Sequence, residues 1–175
     1  MAFPTPVYIV GTYGKDDEPT AMNVAWGGLC SSEPPCVMIA IRKERYTYEN
    51  IMERKEFTVN FPDAAHVKEA DYLGLVSGKK AKKFEVAGLT AKKGEKVNAP
   101  VIEEFPMALE CKVKSFEDGI LIGEIMNVNA DESILTNGQI DPKKLKPITY
   151  DPVNHAYIGL GEKVGNAFKD GLKLK

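Results

Sequence analysis

Apolar positions along this chain come in short runs broken by glycine, proline and acidic residues, a rhythm of strands and tight turns. Residues 7–12 form a β-rich run that ends in the turn cluster Gly14-Lys15-Asp16-Asp17. Glu18-Pro19 then opens a return, so residues 20–26 predict an antiparallel partner. Gly27-Gly28 and residues 31–35 read as a loop, shaped by backbone freedom and two prolines. Residues 36–41 are continuously apolar, which predicts a strand buried on both faces. Residues 57–61 predict a further strand that Pro62 stops. The clearest alternation is in residues 107–115. Met107, Leu109, Cys111 and Val113 share one face, and Glu110, Lys112 and Lys114 share the other. Asp118-Gly119 supplies a hairpin turn into residues 120–128, so these two runs should pair.

About six strands joined mostly by short turns is the habit of an antiparallel barrel. The fold class is therefore mainly β with short helices. Helical patterns cover residues 46–54, residues 66–73 and the C-terminal tail. Residues 78–100 are the least regular stretch and read as an excursion lying over the barrel. With no internal repeat and no long linker, residues 1–175 read as a single domain.

Composition changes this picture little. A chain of 175 residues can bury ~70% of its unfolded surface, enough for a core without disulfide staples. A formal net charge of −2 gives no general attraction to nucleic acid or anionic lipid. The local exception is Lys79, Lys80, Lys82 and Lys83. That run is either a solvated face or a cationic loop closing over an anionic cofactor or dinucleotide. Cys30, Cys36 and Cys111 are odd in number and match no zinc spacing, which favours a reducing cytoplasm. No secretory pattern opens the sequence, and no apolar run approaches the ~18 residues of a membrane helix. The expectation is a soluble cytoplasmic protein.

Two stretches carry candidate chemistry. In RKERYTYENI, Thr47 precedes a short helical pattern and its hydroxyl suits a cap or an anion. Asn50 projects from the same turn, and Arg42 at a strand end offers a bidentate charged contact. Helix N-termini present free N–H groups to anions, so a phosphate site stands against plain capping and a surface arginine. In MNVAWGGLCSS, small residues would let backbone amides approach the polar edge of a flat ring. Trp26 reads as a wall of that slot or as a core anchor. The Asn23 amide, set among apolar neighbours, must find either a ligand or a backbone partner. Cys30 suits packing better than redox chemistry, and His155 suits a structural or surface role. With two histidines and no nucleophile elbow or metal-binding histidine pair, no side chain is set up as a nucleophile.

The segment PVYIVGTYGKDDEPTAMNVAWGGLCSSEPPCVMIAIRK, with SGKKAKKFEVAGLT and YIGLGEKVGNAF later on, resembles the flavin reductase-like, FMN-binding split-barrel family, and within it the flavoredoxin-type branch. The resemblance implies a Greek-key-type antiparallel split barrel, a homodimer, and FMN held near the subunit interface. It places the phosphate near Arg42, Thr47 and Asn50. It sets the ring against Asn23, Val24, Ala25 and Trp26 and against Cys30, Ser31 and Ser32, and draws Ser77, Lys83 and Phe84 from a loop closing the site. The chemistry would belong to the cofactor, with no catalytic side chain and no metal.

Two functions follow. One is an NAD(P)H-dependent FMN reductase passing hydride from NADH or NADPH to flavin N5, with another protein, oxygen or ferric iron as the final acceptor. The other is a non-enzymatic electron carrier with tightly held FMN and protein electron partners. A barrel that has lost its flavin and serves only as a binding module is a third.

Overall fold

The computed structural model describes residues 3–174. In chain order the strands and helices are β1 (Thr5–Pro6), β2 (Tyr8–Tyr13), β3 (Pro19–Val24), β4 (Gly27–Ser32), β5 (Pro35–Ala40), α1 (Tyr46–Arg54), β6 (Glu56–Phe61), α2 (Val67–Leu75), α3 (Lys83–Ala87) and β7 (Ala91–Lys93). There follow β8 (Pro100–Ile102), β9 (Met107–Glu117), β10 (Ile120–Ala130), β11 (Leu135–Thr136), β12 (Gln139–Ile140), α4 (Pro142–Leu145), β13 (Ile148–Asp151) and β14 (Ala156–Gly159).

Seven strands make one sheet in the order β3-β2-β6-β9-β10-β5-β4, and each pairing is antiparallel. Its two edges, β3 and β4, are consecutive in the chain and joined only by Ala25 and Trp26. A link that short forces the sheet to curl until its edges approach, yet β3 and β4 do not pair. The result is a barrel with a split at Ala25-Trp26. A small sheet β1-β13-β14 accompanies it.

The hairpins expected at residues 7–26 and 107–128 form in register, Ile9 opposite Asn23 and Ile120 opposite Glu117. Strand β2 does not alternate because both its faces are covered. Val10 joins a cluster inside the barrel with Ile39, Phe57 and Leu109, while Ile9 joins an outer cluster with Ala21, Leu73 and Phe84. Strand β5 follows its apolar run less strictly, with Met38 and Ala40 only half-buried.

Several expectations are corrected. Residues 27–35 are not a loop but strand β4, a two-residue turn at Glu33-Pro34, and the start of β5. Strand β4 is an edge strand whose Leu29–Ser32 end is exposed, so backbone pairing holds it without the apolar signature of a buried strand. Glu110 shares a face with the exposed Lys112 and Lys114 but is itself 0% exposed. Residues 94–97 fold over it, and its carboxylate accepts from Lys96 N (2.6 Å), Val97 N (3.2 Å), Asn127 Nδ2 (3.0 Å) and Asn129 Nδ2 (2.7 Å). Burial pushes that carboxyl up, but these hydrogen bonds outweigh it and hold it below the usual range. Residues 78–100 do lie over the barrel, but contain α3 and β7. Among the described residues the tail contributes only a short 3-10 turn, Asp170–Leu174.

Candidate functional site

Helix α1 spans residues 46–54 as its pattern predicted, but Thr47 is not its cap. Arg45, in extended conformation, occupies the N-cap position and no side chain caps the end. Thr47 is therefore inside the first turn and caps nothing, and the amides of Tyr46 and Thr47 lie among those a helix cannot satisfy internally. They open onto a lobe of a surface cavity of about 550 Å³, lined by Arg45, Tyr46, Thr47, Ser77, Lys80 and Lys83 among others.

Lys83 is 2% exposed. Its Nζ donates to Ala21 O on β3 and to Leu73 O on α2, both at 2.6 Å, and no carboxylate pairs with it among the described residues. An ammonium has three N–H groups, so one remains beyond these two carbonyls. Burial, with a smaller push from the Arg45 guanidinium, lowers its pKa to about 8. Thr20 (4%) on β3 and Thr47 (4%) and Asn50 (5%) on α1 are buried too, and both Thr20 Oγ1 and Asn50 Nδ2 lack a partner. Buried donors without acceptors are costly, and these two come from α1 itself and from the residue before Ala21, whose carbonyl accepts from Lys83. The donor set fits a dianionic phosphate group. The rest of the lysine run divides: Lys79 pairs with Glu49, Lys82 lies 3.7 Å from Glu18, and Lys80 lines the lobe.

A second lobe of about 700 Å³ opens at the split in the barrel. Asn23, Val24, Ala25, Trp26 and Arg42 line it, brought together from the end of β3, the two-residue link and the turn after β5. Trp26 is 54% exposed, so it walls the cavity and is not a core anchor. Its carbonyl accepts from Ala40 N at 2.8 Å, pinning the link to β5. Met22, Asn23, Glu44, Arg45, Gly74 and Leu75 line both lobes, which are therefore continuous. Each volume lies in the ~300–1,000 Å³ range of small-molecule sites.

Five expected site residues lie outside the lining of both lobes. Cys30, Ser31 and Ser32 are exposed on edge strand β4 and line neither lobe. Phe84 packs into the outer core cluster with Ala21, Ala70 and Leu73, anchoring α3 rather than closing the cavity. Asn50 is buried in α1 behind the lining.

Other lining residues carried no signal in the sequence. Arg45 was hidden because the helix start was placed after it. Asp71 on α2 and Tyr150 and Tyr157 on the small sheet are distant in sequence from every motif, and only the tertiary fold delivers them to the larger lobe. Tyr157 Oη donates to Asp71 Oδ1 at 2.8 Å, and Asn23 Nδ2 donates to Ala70 O at 3.1 Å and to Tyr157 Oη at 3.4 Å. Burial, then the bond to Asp71, pushes the Tyr157 phenol well above its ordinary range. His155 is exposed, with Nδ1 2.9 Å from Tyr150 Oη.

A family model described as the flavin reductase-like domain matches residues 1–151. The chain belongs to that family. Among solved structures it is similar to flavoredoxin of Desulfovibrio vulgaris (Miyazaki F), with 44% identity and a TM-score of 0.95 over 98% of this chain and 94% of that one. It is also similar to flavoredoxin from Methanosarcina acetivorans, with 32% identity and a TM-score of 0.93 over 100% of this chain and 95% of that one. A split-barrel-domain protein from Shewanella frigidimarina NCIMB 400 has 24% identity and a TM-score of 0.82, covering 93% of this chain and 85% of that chain. That last likeness speaks to the fold alone, and the fold is the split barrel that the link between β3 and β4 imposes. Among the described residues no helix is long and apolar enough to cross a membrane, and no cluster of metal-ligating side chains occurs.

Proposed function

We propose that the two-lobed cavity holds FMN and that the protein is an NAD(P)H-dependent flavin reductase of the split-barrel type. The observation that carries the FMN reading is the buried donor set at the uncapped start of α1, where Lys83 and Asn50 are left with unspent hydrogen-bonding capacity. A phosphate there would accept from the Tyr46 and Thr47 amides, the Thr47 and Ser77 hydroxyls and Lys83, with Arg45 and Lys80 at the rim. Val24, Ala25 and Trp26 supply an apolar wall for a flat ring, and Arg42 a cation at the same lobe. Bound FMN would supply the redox chemistry, accepting hydride at N5 and releasing electrons singly or in pairs. The protein's part is to orient the ring, exclude water from one face and leave the other open to nicotinamide.

The assembly proposed is a homodimer. In its support, the C-terminal segment exposes Val164, Phe168 and Leu174, and β4 exposes Leu29 at an unpaired sheet edge. Cys30, Ser31 and Ser32 keep a place against the ring only through that second copy.

A second reading is favoured by the likeness to flavoredoxins at 44% and 32% identity: a carrier with tightly held FMN that exchanges electrons with protein partners. An anaerobic absorption spectrum of FMN-loaded protein before and after NADH, then NADPH, separates the two. Bleaching of the flavin with matching loss of nucleotide is the result expected of a reductase. Flavin that stays oxidised with both nucleotides would overturn the reductase reading in favour of the carrier.

A further inference from the structure

The Asn23 amide lies where the two lobes meet, and its orientation is fixed by hydrogen-bond chemistry. Ala70 O can only accept, so the Asn23 atom 3.1 Å from it is the amide nitrogen. Asp71 is the acceptor for Tyr157 Oη–H at 2.8 Å, which leaves the phenolic oxygen free to accept the second Asn23 N–H at 3.4 Å. Both hydrogens of Nδ2 are thereby placed. Asn23 Oδ1 has no hydrogen-bond partner among the described residues, and it is not among the buried atoms that lack one, so it is open to the cavity. Asn23 therefore presents an acceptor, and the group opposite it must donate.

The position says which group. Asn23 lines both the anion lobe and the lobe walled by Trp26. In an FMN whose phosphate and ring occupy those lobes, the connecting part is a polyol chain, whose hydroxyls donate. We propose that Tyr157 and Asp71 are positioning residues that hold the Asn23 oxygen at the junction of the lobes, where it accepts a hydrogen bond from a hydroxyl of the cofactor's polyol chain. This rests on the FMN reading above. It adds a preference for a hydroxylated linker, set by residues on α2 and β14 that belong to no motif.

The test is binding of two ligands, followed by quenching of flavin fluorescence: FMN, and an analogue that keeps the ring and phosphate but replaces the polyol by an unsubstituted pentyl chain. Wild-type protein should bind FMN roughly tenfold more tightly than the analogue, the size of one lost hydrogen bond. Tyr157→Phe should weaken FMN about tenfold and leave the analogue within about twofold, since the analogue has no hydroxyl to lose. Asp71→Asn keeps an acceptor for the phenol and should retain the FMN preference, whereas Asp71→Leu should behave like Tyr157→Phe. Equal losses for both ligands in Tyr157→Phe would mean general loosening of the site and would overturn the inference. So would an unchanged FMN affinity. A wild-type protein that binds FMN and the analogue equally well sinks the inference and leaves the FMN reading standing. One that binds neither ends both.

Discussion

At the residue scale, Lys83 shows how the fold spends stability on a site. Its ammonium is buried against two carbonyls with no carboxylate beside it, and its pKa is about 8 instead of 10.5. Between those values the unfolded chain holds a proton that the folded protein has lost, so stability must rise with pH across that window. From pH 7 to 9.5 the gain should be about 2 kcal/mol in urea unfolding, and Lys83→Met should abolish it. FMN affinity should move the other way. Its phosphate is a dianion throughout this range, so affinity should fall as pH rises above about 8, by up to tenfold per unit, and stay flat in Lys83→Met. Parallel slopes in wild type and variant would remove Lys83 from the phosphate site. The helix carrying Thr47 and Asn50 was legible in the sequence because a helical pattern announces itself locally, although the capping role expected of Thr47 was not. The burial of Lys83 was not, since nothing in a run of lysines says which one turns inward.

At the element scale, turns and alternation revealed the two long hairpins, whose signals are local. The hairpin of β4 and β5 escaped because Gly27–Ser32 is an exposed edge of small residues with no apolar face to mark it. Glu110 escaped because alternation assigns a face, not what covers it, and residues 94–97 arrive from elsewhere in the chain. Gly123 on β10 makes a related point. A Cβ there would lie 2.4 Å from Phe57 Cζ and 3.2 Å from Cys111 Cβ, so the missing side chain is the space that Phe57 fills inside the barrel. Gly123→Ala should cost about 1–3 kcal/mol in urea unfolding, as overpacking of a dense core does. A neutral effect would show the Phe57 ring free to move aside.

At the scale of the whole molecule, one connection explains where the site is. The first and last strands of the sheet order are joined by Ala25 and Trp26 alone, so the barrel curls shut in space but stays open in hydrogen bonding at that seam. The seam leaves the Trp26 wall accessible, and α1 and α2 bring the cationic lobe up to it. The resemblance of three separated segments anticipated this architecture, and eight of the residues it named, Asn23, Val24, Ala25, Trp26, Arg42, Thr47, Ser77 and Lys83, line the two lobes. It did not anticipate Asp71, Arg45 or Tyr157, which reach the cavity only through tertiary folding.

The central claim is that the lobe at the start of α1 is built for the phosphate of FMN. Comparing the affinities of FMN and riboflavin, which differ only by that phosphate, tests it most directly. The account predicts that FMN binds at least ~100-fold more tightly, since several charge-assisted hydrogen bonds are at stake. Equal affinities would contradict it.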